Sequence, residues 1–426
     1  MLLEFTVRNF LSIKEEVTLN MVASKDKFRI EENTVVYEKG KNEKRALNVG
    51  VLYGANASGK TNILKAMNFV SFFINKSHEM QQGRKIPRVP FKLDGNFLKE
   101  PSEFRILFVH EGIKYLYMFS VIETEVTEEY LYYYPNGRQS TIFERKDDDY
   151  KFTSDIERQT ELKEKFHSKN KLFLATESLW EYEKAKVPFK WLSEYFDVFI
   201  DHEDLESYTG GAMLESNEVN DYVKKYMRYA DMDIEDIDVQ VKNKSDIVSS
   251  ELFKMLSDGA KADIIKTLDE EKTGVLDIKT LHRGVDEAGN AIDIYFNLRQ
   301  ESEGTKKYFG ILGPIISVLI NGYTLVIDEL DIRLHTLLVM KLVELFLDPE
   351  INKNNAQLIF STHDTNLLDI DVLRRDQIWF VEKKEDKSTD LYSLYDFGGI
   401  RKSERIEKGY LQGKYGAIPY LKGALK

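Results

Sequence analysis

Gly54-Ala55-Asn56-Ala57-Ser58-Gly59-Lys60-Thr61 fits the pattern G-x-x-x-x-G-K-[ST] without a gap or a substitution. The apolar stretch 47–53 predicts a strand before it. Residues 62–73 predict a helix after it, apolar at Ile63, Leu64, Met67, Val70 and Phe73. Strand, glycine loop and helix are the context in which this pattern cradles phosphate. Gly54 and Gly59 let the backbone bend closely around a polyphosphate. The loop N–H groups of Asn56, Ala57, Ser58 and Gly59, and the helix start at Lys60, Thr61 and Asn62, can then face the anion. Lys60 would bridge the β- and γ-phosphates, and the Thr61 hydroxyl would hold Mg²⁺. The expected ligand is a polyphosphate with Mg²⁺; the competing reading is a chance glycine-rich turn.

At 426 residues the chain is too long for one small core and predicts two or three lobes. A hydrophobic content of 42% and a charged content of 31% describe a folded, soluble protein. No apolar run approaches the ~20 residues that cross a bilayer, so no membrane partner is expected. The start, Met1-Leu2-Leu3-Glu4-Phe5, lacks the pattern of a signal peptide. The absence of cysteine excludes disulfides and thiolate metal sites and fits a cytoplasmic location. The net charge of −12 argues against a generally basic surface coating nucleic acid, though a local basic groove stays open.

Along the chain, Leu3-Phe5-Val7 and Val17-Leu19-Met21 alternate as strands, and residues 38–45 suggest a hairpin turn. Residues 104–109, 113–122 and 127–134 predict an antiparallel β section, with turns at His110-Glu111-Gly112 and Pro135-Asn136-Gly137. The tyrosines of 130–134 read as sheet packing rather than a stacking face for bases. Helical periodicity follows at 156–169, 180–199, 218–232 and 252–268, interrupted at Tyr208-Thr209-Gly210-Gly211. Strands return at 275–281 and 291–298. The predicted organisation is an N-terminal half of a core over 1–154, an inserted helical lobe over 155–270, and the other half of the core over 271–426.

Thr324-Leu325-Val326-Ile327-Asp328-Glu329 reads as a strand buried on both faces that releases two acids at its carboxyl end. Asp328 would help bind Mg²⁺, and Glu329 would polarise the water that attacks the γ-phosphate. Capping is the alternative for such a pair alone. Ser361-Thr362-His363 follows another buried strand, and the His363 imidazole can donate to a phosphate oxygen as a γ-phosphate sensor. The catalytic set is therefore Glu329, His363 and Lys60. Ser302 and Gly304 precede a helix over 306–319 and could form a second anion-binding surface or an ordinary N-cap. Asp331 and His335, in Leu330-Asp331-Ile332-Arg333-Leu334-His335 at the start of a helix through 347, could meet a partner subunit or form a capping turn.

Glycine loop, Ser302-x-Gly304, Asp328-Glu329 strand, acidic loop and His363, in this order, resemble the ABC-type ATPases, most closely the RecF, SMC and OLD-type branch. The opening Phe5-Thr6-Val7-Arg8-Asn9-Phe10-Leu11-Ser12 resembles that branch's first strand and loop, near which the nucleotide base lies. Pro90-Phe91-Lys92-Leu93, Asp328-Glu329-Leu330-Asp331 with Leu334-His335, and the tail from Gly409 to Pro419 resemble the bacterial abortive-infection and anti-phage ATPases, the AbiLii and AriA-like group. Glu303 stands where many relatives have a small residue, and no glutamine clearly ends a strand ahead of the β section. The likeness implies an α/β fold with an ABC-type P-loop core: a mixed sheet with flanking helices, an antiparallel β section and an inserted lobe.

It further implies a homodimer, or a higher homo-oligomer, with ATP held between Lys60 and Thr61 of one chain and Ser302 and Gly304 of another. ATP hydrolysis to ADP and phosphate would then drive a switch in antiviral defence, controlling a separate effector such as a nuclease toxin from a neighbouring gene. The alternative implied by the same branch is an ATPase that binds DNA in repair or maintenance.

Overall fold

The structure is a computed structural model and describes residues 1–40, 43–202, 204–230, 232–244, 248, 251–255, 257, 259, 261, 275–368, 372–400 and 404–419. The apolar runs Val49–Tyr53, Thr324–Ile327 and Gln357–Ser361 are buried at every residue. They lie side by side and parallel at the centre of a 6-stranded sheet, where both faces must be covered. Phe196–Phe199 adds a parallel strand beyond Thr324–Ile327. Beyond Val49–Tyr53, Ile378–Lys383 adds another, and Thr389–Ser393 closes that edge as an antiparallel hairpin.

The helix Lys60–Lys76 carries its apolar stripe into a cluster shared with two sheets. Ile63, Leu64, Met67 and Val70 are buried together with Leu52, Val326 and Ile359 of the parallel sheet. The same cluster holds Phe104 and Phe119 of a second, 7-stranded antiparallel sheet. In spatial order that sheet runs Asp149–Phe152, Ser140–Lys146, Val126–Tyr134, Ile113–Val121, Ser102–His110, Leu2–Arg8 and Val17–Asn20. Phe69 stacks on Phe104 at 5.1 Å between centroids. Each such ring removed from water stabilises the sandwich by roughly 1.5–3 kcal/mol, so the helix start is held from both sides.

The chain divides into two compact units: Met1–Ile200 with Val318–Ile332 and Val339–Lys426, and Asp201–Ser317 with Arg333–Leu338. These bounds differ from the predicted 155–270 lobe. The helices Ile156–Phe166, Phe173–Leu179 and Glu183–Glu194 belong to the first unit because Leu162, Phe173, Leu174 and Trp191 complete its core. A buried carboxylate fixes them to the antiparallel sheet. Glu129 accepts from the N–H groups of Phe173 (2.6 Å) and Leu174 (2.9 Å) at the helix start, and from the Tyr117 hydroxyl at 2.8 Å. A negative charge is favoured at that end of a helix.

Three further readings change. Residues 196–199 form the edge strand of the parallel sheet rather than the end of a helix. Their partner, Thr324–Ile327, is remote in sequence, and pairing overrides local periodicity. Tyr208-Thr209-Gly210-Gly211 lies inside the helix Leu205–Glu215, where Thr209 donates to the Gly310 carbonyl at 2.6 Å. The strand Asp236–Lys242 joins Val275–Val285 and Ala291–Asn297 in a 3-stranded antiparallel sheet of the second unit. Of the helix read at 252–268, Glu251–Met255 forms a described helix, and most of the remainder lies outside the described residues.

Candidate nucleotide site

The glycine loop leaves the buried strand Val49–Tyr53 and turns into the helix at Lys60. Its two glycines answer to close neighbours. A Cβ on Gly54 would lie 2.3 Å from the Val381 carbonyl oxygen. Gly59 has φ +117°, and a Cβ there would lie 2.1 Å from Thr389 Oγ1. The hairpin Ile378–Lys383/Thr389–Ser393 thus backs the loop along its length. Thr389 Oγ1 donates to the Ser58 carbonyl at 3.0 Å and stands 2.6 Å from Ser12 Oγ, which accepts from Asn62 Nδ2 at 2.7 Å. One chain of hydrogen bonds joins the first loop, the glycine loop and the hairpin.

Lys60 is 6% exposed, and its amine donates to the Gly54 carbonyl at 2.8 Å. Burial lowers its pKa, opposed by the nearby charges of Asp328, Glu329 and Asp331. Those acids follow the strand Thr324–Ile327, and Ser361 arranges them. Its hydroxyl donates to Asp328 Oδ1 and accepts from the Glu329 N–H at 2.9 Å. The Ser361 carbonyl accepts from the Leu330 N–H at 3.1 Å. Glu329 is held at φ +45°, a conformation side chains rarely adopt, at the mouth of the cleft. The His363 N–H donates to Asp331 Oδ2 at 3.2 Å. Burial lowers the pKa of the His363 imidazole, and the charge of Lys60 lowers it further, so the ring is neutral near pH 7.

A cleft of about 380 Å³ is lined by residues 56–62, Glu329, His363 and Lys383. It brings Asn56, Ala57, Ser58, Gly59, Lys60, Thr61 and Asn62 together with two residues some three hundred positions away. Asp328 is buried beneath, reached through Ser361. Ser302 and Gly304 are not among the lining residues and belong to the second unit. There Ser302 Oγ accepts from the Thr305 N–H at 3.1 Å, an N-cap. Arg333 pairs with Glu303 in the same unit, and His335 Nδ1 accepts from the Leu337 N–H at 3.2 Å as a capping turn. Ser12 and Ser361 lie in stretches the sequence marks, yet neither they nor Lys383 and Thr389 gain a role at the cleft from it, since no motif spacing assigns one.

The described residues hold no group of three or more His, Asp or Glu side chains able to bind a metal ion by themselves. Mg²⁺ does not need one: it keeps several waters and takes one or two protein oxygens plus those of phosphate. The Thr61 hydroxyl and the Asp328 carboxylate are oxygen donors of that kind.

A strand, glycine loop and helix on a parallel sheet, with an acid pair and a histidine following its neighbouring strands, are the arrangement of an α/β P-loop core. Residues 49–369 match the family described as "AAA domain, putative AbiEii toxin, Type IV TA system". The chain belongs to that family. No curated protein matches it. Among solved structures, an Smc head bound to the C-winged helix domain of ScpA is similar at 13% identity and TM-score 0.44, over 92% of this chain and 97% of that one. An Smc head domain with an extended coiled coil, bound to the C-terminal domain of ScpA derived from Pyrococcus furiosus, is similar at 14% identity and TM-score 0.39, over 92% and 96%. No helix among the described residues is long and apolar enough to cross a membrane.

Proposed function

We propose that this chain binds ATP with Mg²⁺ in the cleft, hydrolyses it to ADP and phosphate, and passes its nucleotide state to a second protein. The observation that carries the reading is the convergence of residues 56–62 with Glu329 and His363 on one cleft. In this reading the N–H groups of the glycine loop and the Lys60 amine hold the phosphate chain. Thr61 and Asp328 would hold Mg²⁺, which would supply charge neutralisation at the phosphates. Glu329 accepts the proton of the attacking water, and neutral His363 donates to the γ-phosphate oxygens. Ser361 is a positioning residue that sets both acids.

A homodimer would complete the site, with Ser302 and Gly304 of a second copy covering the γ-phosphate. The family's description speaks of a toxin and a toxin–antitoxin system, which supports a role in defence by abortive infection with a separate effector under nucleotide control. The test is Glu329→Gln. The variant keeps ATP binding, loses hydrolysis by about 10²–10⁴-fold, and elutes as an ATP-dependent dimer. Hydrolysis at the parent rate overturns the assignment of the base.

A further inference from the structure

Lys383 ends the strand Ile378–Lys383 and lines the same cleft as the glycine loop, Glu329 and His363. No motif covers it. Among the described residues its amine makes no ion pair or hydrogen bond, while the adjacent Lys384 pairs with Asp390 at 3.3 Å. The backbone beneath Lys383 is fixed, because Val381 lies against Gly54 and Thr389 against Gly59. An exposed lysine at the end of so constrained a strand keeps its root in place while its head remains free.

The charges of the cleft leave room for such a group. Lys60 faces Asp328, Glu329 and Asp331, so much of its charge is already answered by acids. A nucleoside triphosphate with one Mg²⁺ still carries net negative charge, and His363 is neutral. Lys383 is the other cation on the lining. The sheet order gives its side. Val49–Tyr53 lies between Gln357–Ser361, which leads to His363, and Ile378–Lys383. His363 and Lys383 therefore reach the loop from opposite sides.

We propose that Lys383 is a second phosphate-binding residue, recognising the part of the phosphate chain that ATP and ADP share. The inference rests on the ATP reading above, in which Glu329 and His363 address the γ-phosphate. An ammonium acts here as a point charge, so its contribution is screened by salt.

The experiment is equilibrium binding of fluorescent ATP and ADP analogues, with Mg²⁺, to the full chain and to Lys383→Gln, Lys383→Arg and Lys60→Ala. Lys383→Gln weakens both nucleotides by about tenfold, equivalent to about 1.4 kcal/mol; the difference shrinks as ionic strength rises, and Lys383→Arg restores most of it. Binding by Lys383→Gln equal to the parent, while Lys60→Ala fails to bind, overturns the inference and leaves the ATP reading intact. A loss confined to ATP overturns the placement. A parent chain that binds neither nucleotide overturns the ATP reading itself, and the inference with it. Unchanged thermal unfolding of Lys383→Gln shows that its binding defect is local.

Discussion

Replacing Gly59 by alanine tests how tightly the glycine loop is wedged against its hairpin. Two costs follow from the geometry. At φ +117° a side chain is strained, by about 1–2 kcal/mol. The new Cβ would also stand 2.1 Å from Thr389 Oγ1, 2.8 Å from its Cγ2 and 3.0 Å from its Cβ. Thr389 cannot rotate away freely: it is β-branched, and Oγ1 is engaged by Ser12 and the Ser58 carbonyl. Overpacking of this kind adds about 1–3 kcal/mol, for a sum of roughly 2–5 kcal/mol. Trp180, Trp191 and Trp379 all belong to the first unit, so tryptophan fluorescence in urea reads that unit alone. Thr389→Ala removes Oγ1 and Cγ2 and leaves the backbone cost with the 3.0 Å approach to the Cβ. In that background Gly59→Ala should cost less than in the parent, by a coupling of up to about 3 kcal/mol. Equal costs in both backgrounds would refute the close approach.

Ser361→Ala removes the donor to Asp328 and the acceptor of the Glu329 N–H. It should cost about 1–3 kcal/mol of stability and raise the Mg²⁺ concentration needed for ATP binding; unchanged Mg²⁺ dependence would show that Ser361 does not set the acids. His167 is partly buried, its Nδ1 3.1 Å from Thr176 Oγ1. Burial first, then the charges of Arg145, Lys171 and Lys163, push its pKa down to about 2 from its ordinary 6.5. The unfolded chain takes up a proton below pH 6.5 that the folded one refuses, so stability falls as pH drops through that window, by about 1.4 kcal/mol per unit. His167→Gln should therefore lose about 2 kcal/mol less than the parent between pH 6.5 and 5, and parallel pH profiles would contradict it.

The parts of the fold that read clearly from the sequence are those whose signal is local. The glycine loop, the stripe Ile63-Leu64-Met67-Val70-Phe73 and the run ending at Asp328-Glu329 each carry their own periodicity or spacing. What escaped depends on partners far along the chain. Phe196–Phe199 is a strand only because Thr324–Ile327 is beside it. Helix Phe173–Leu179 joins the first unit through the Glu129 carboxylate, one polar side chain among many in its strand. At the cleft, Lys60, Glu329 and His363 are legible because the order of the sequence motifs marks them. Ser12, Ser361 and Thr389 act by hydrogen bonds that any hydroxyl could make, so composition does not distinguish them.

The hairpin behind the glycine loop has a thermodynamic corollary. A cradle braced at both ends by Val381 and Thr389 has little conformational freedom left to surrender when an anion arrives. Capture then spends its free energy chiefly on exchanging the bond from Lys60 to the Gly54 carbonyl for one to phosphate, rather than on ordering a floppy segment. Selectivity among polyphosphates becomes a matter of fit to a mould already cast during folding.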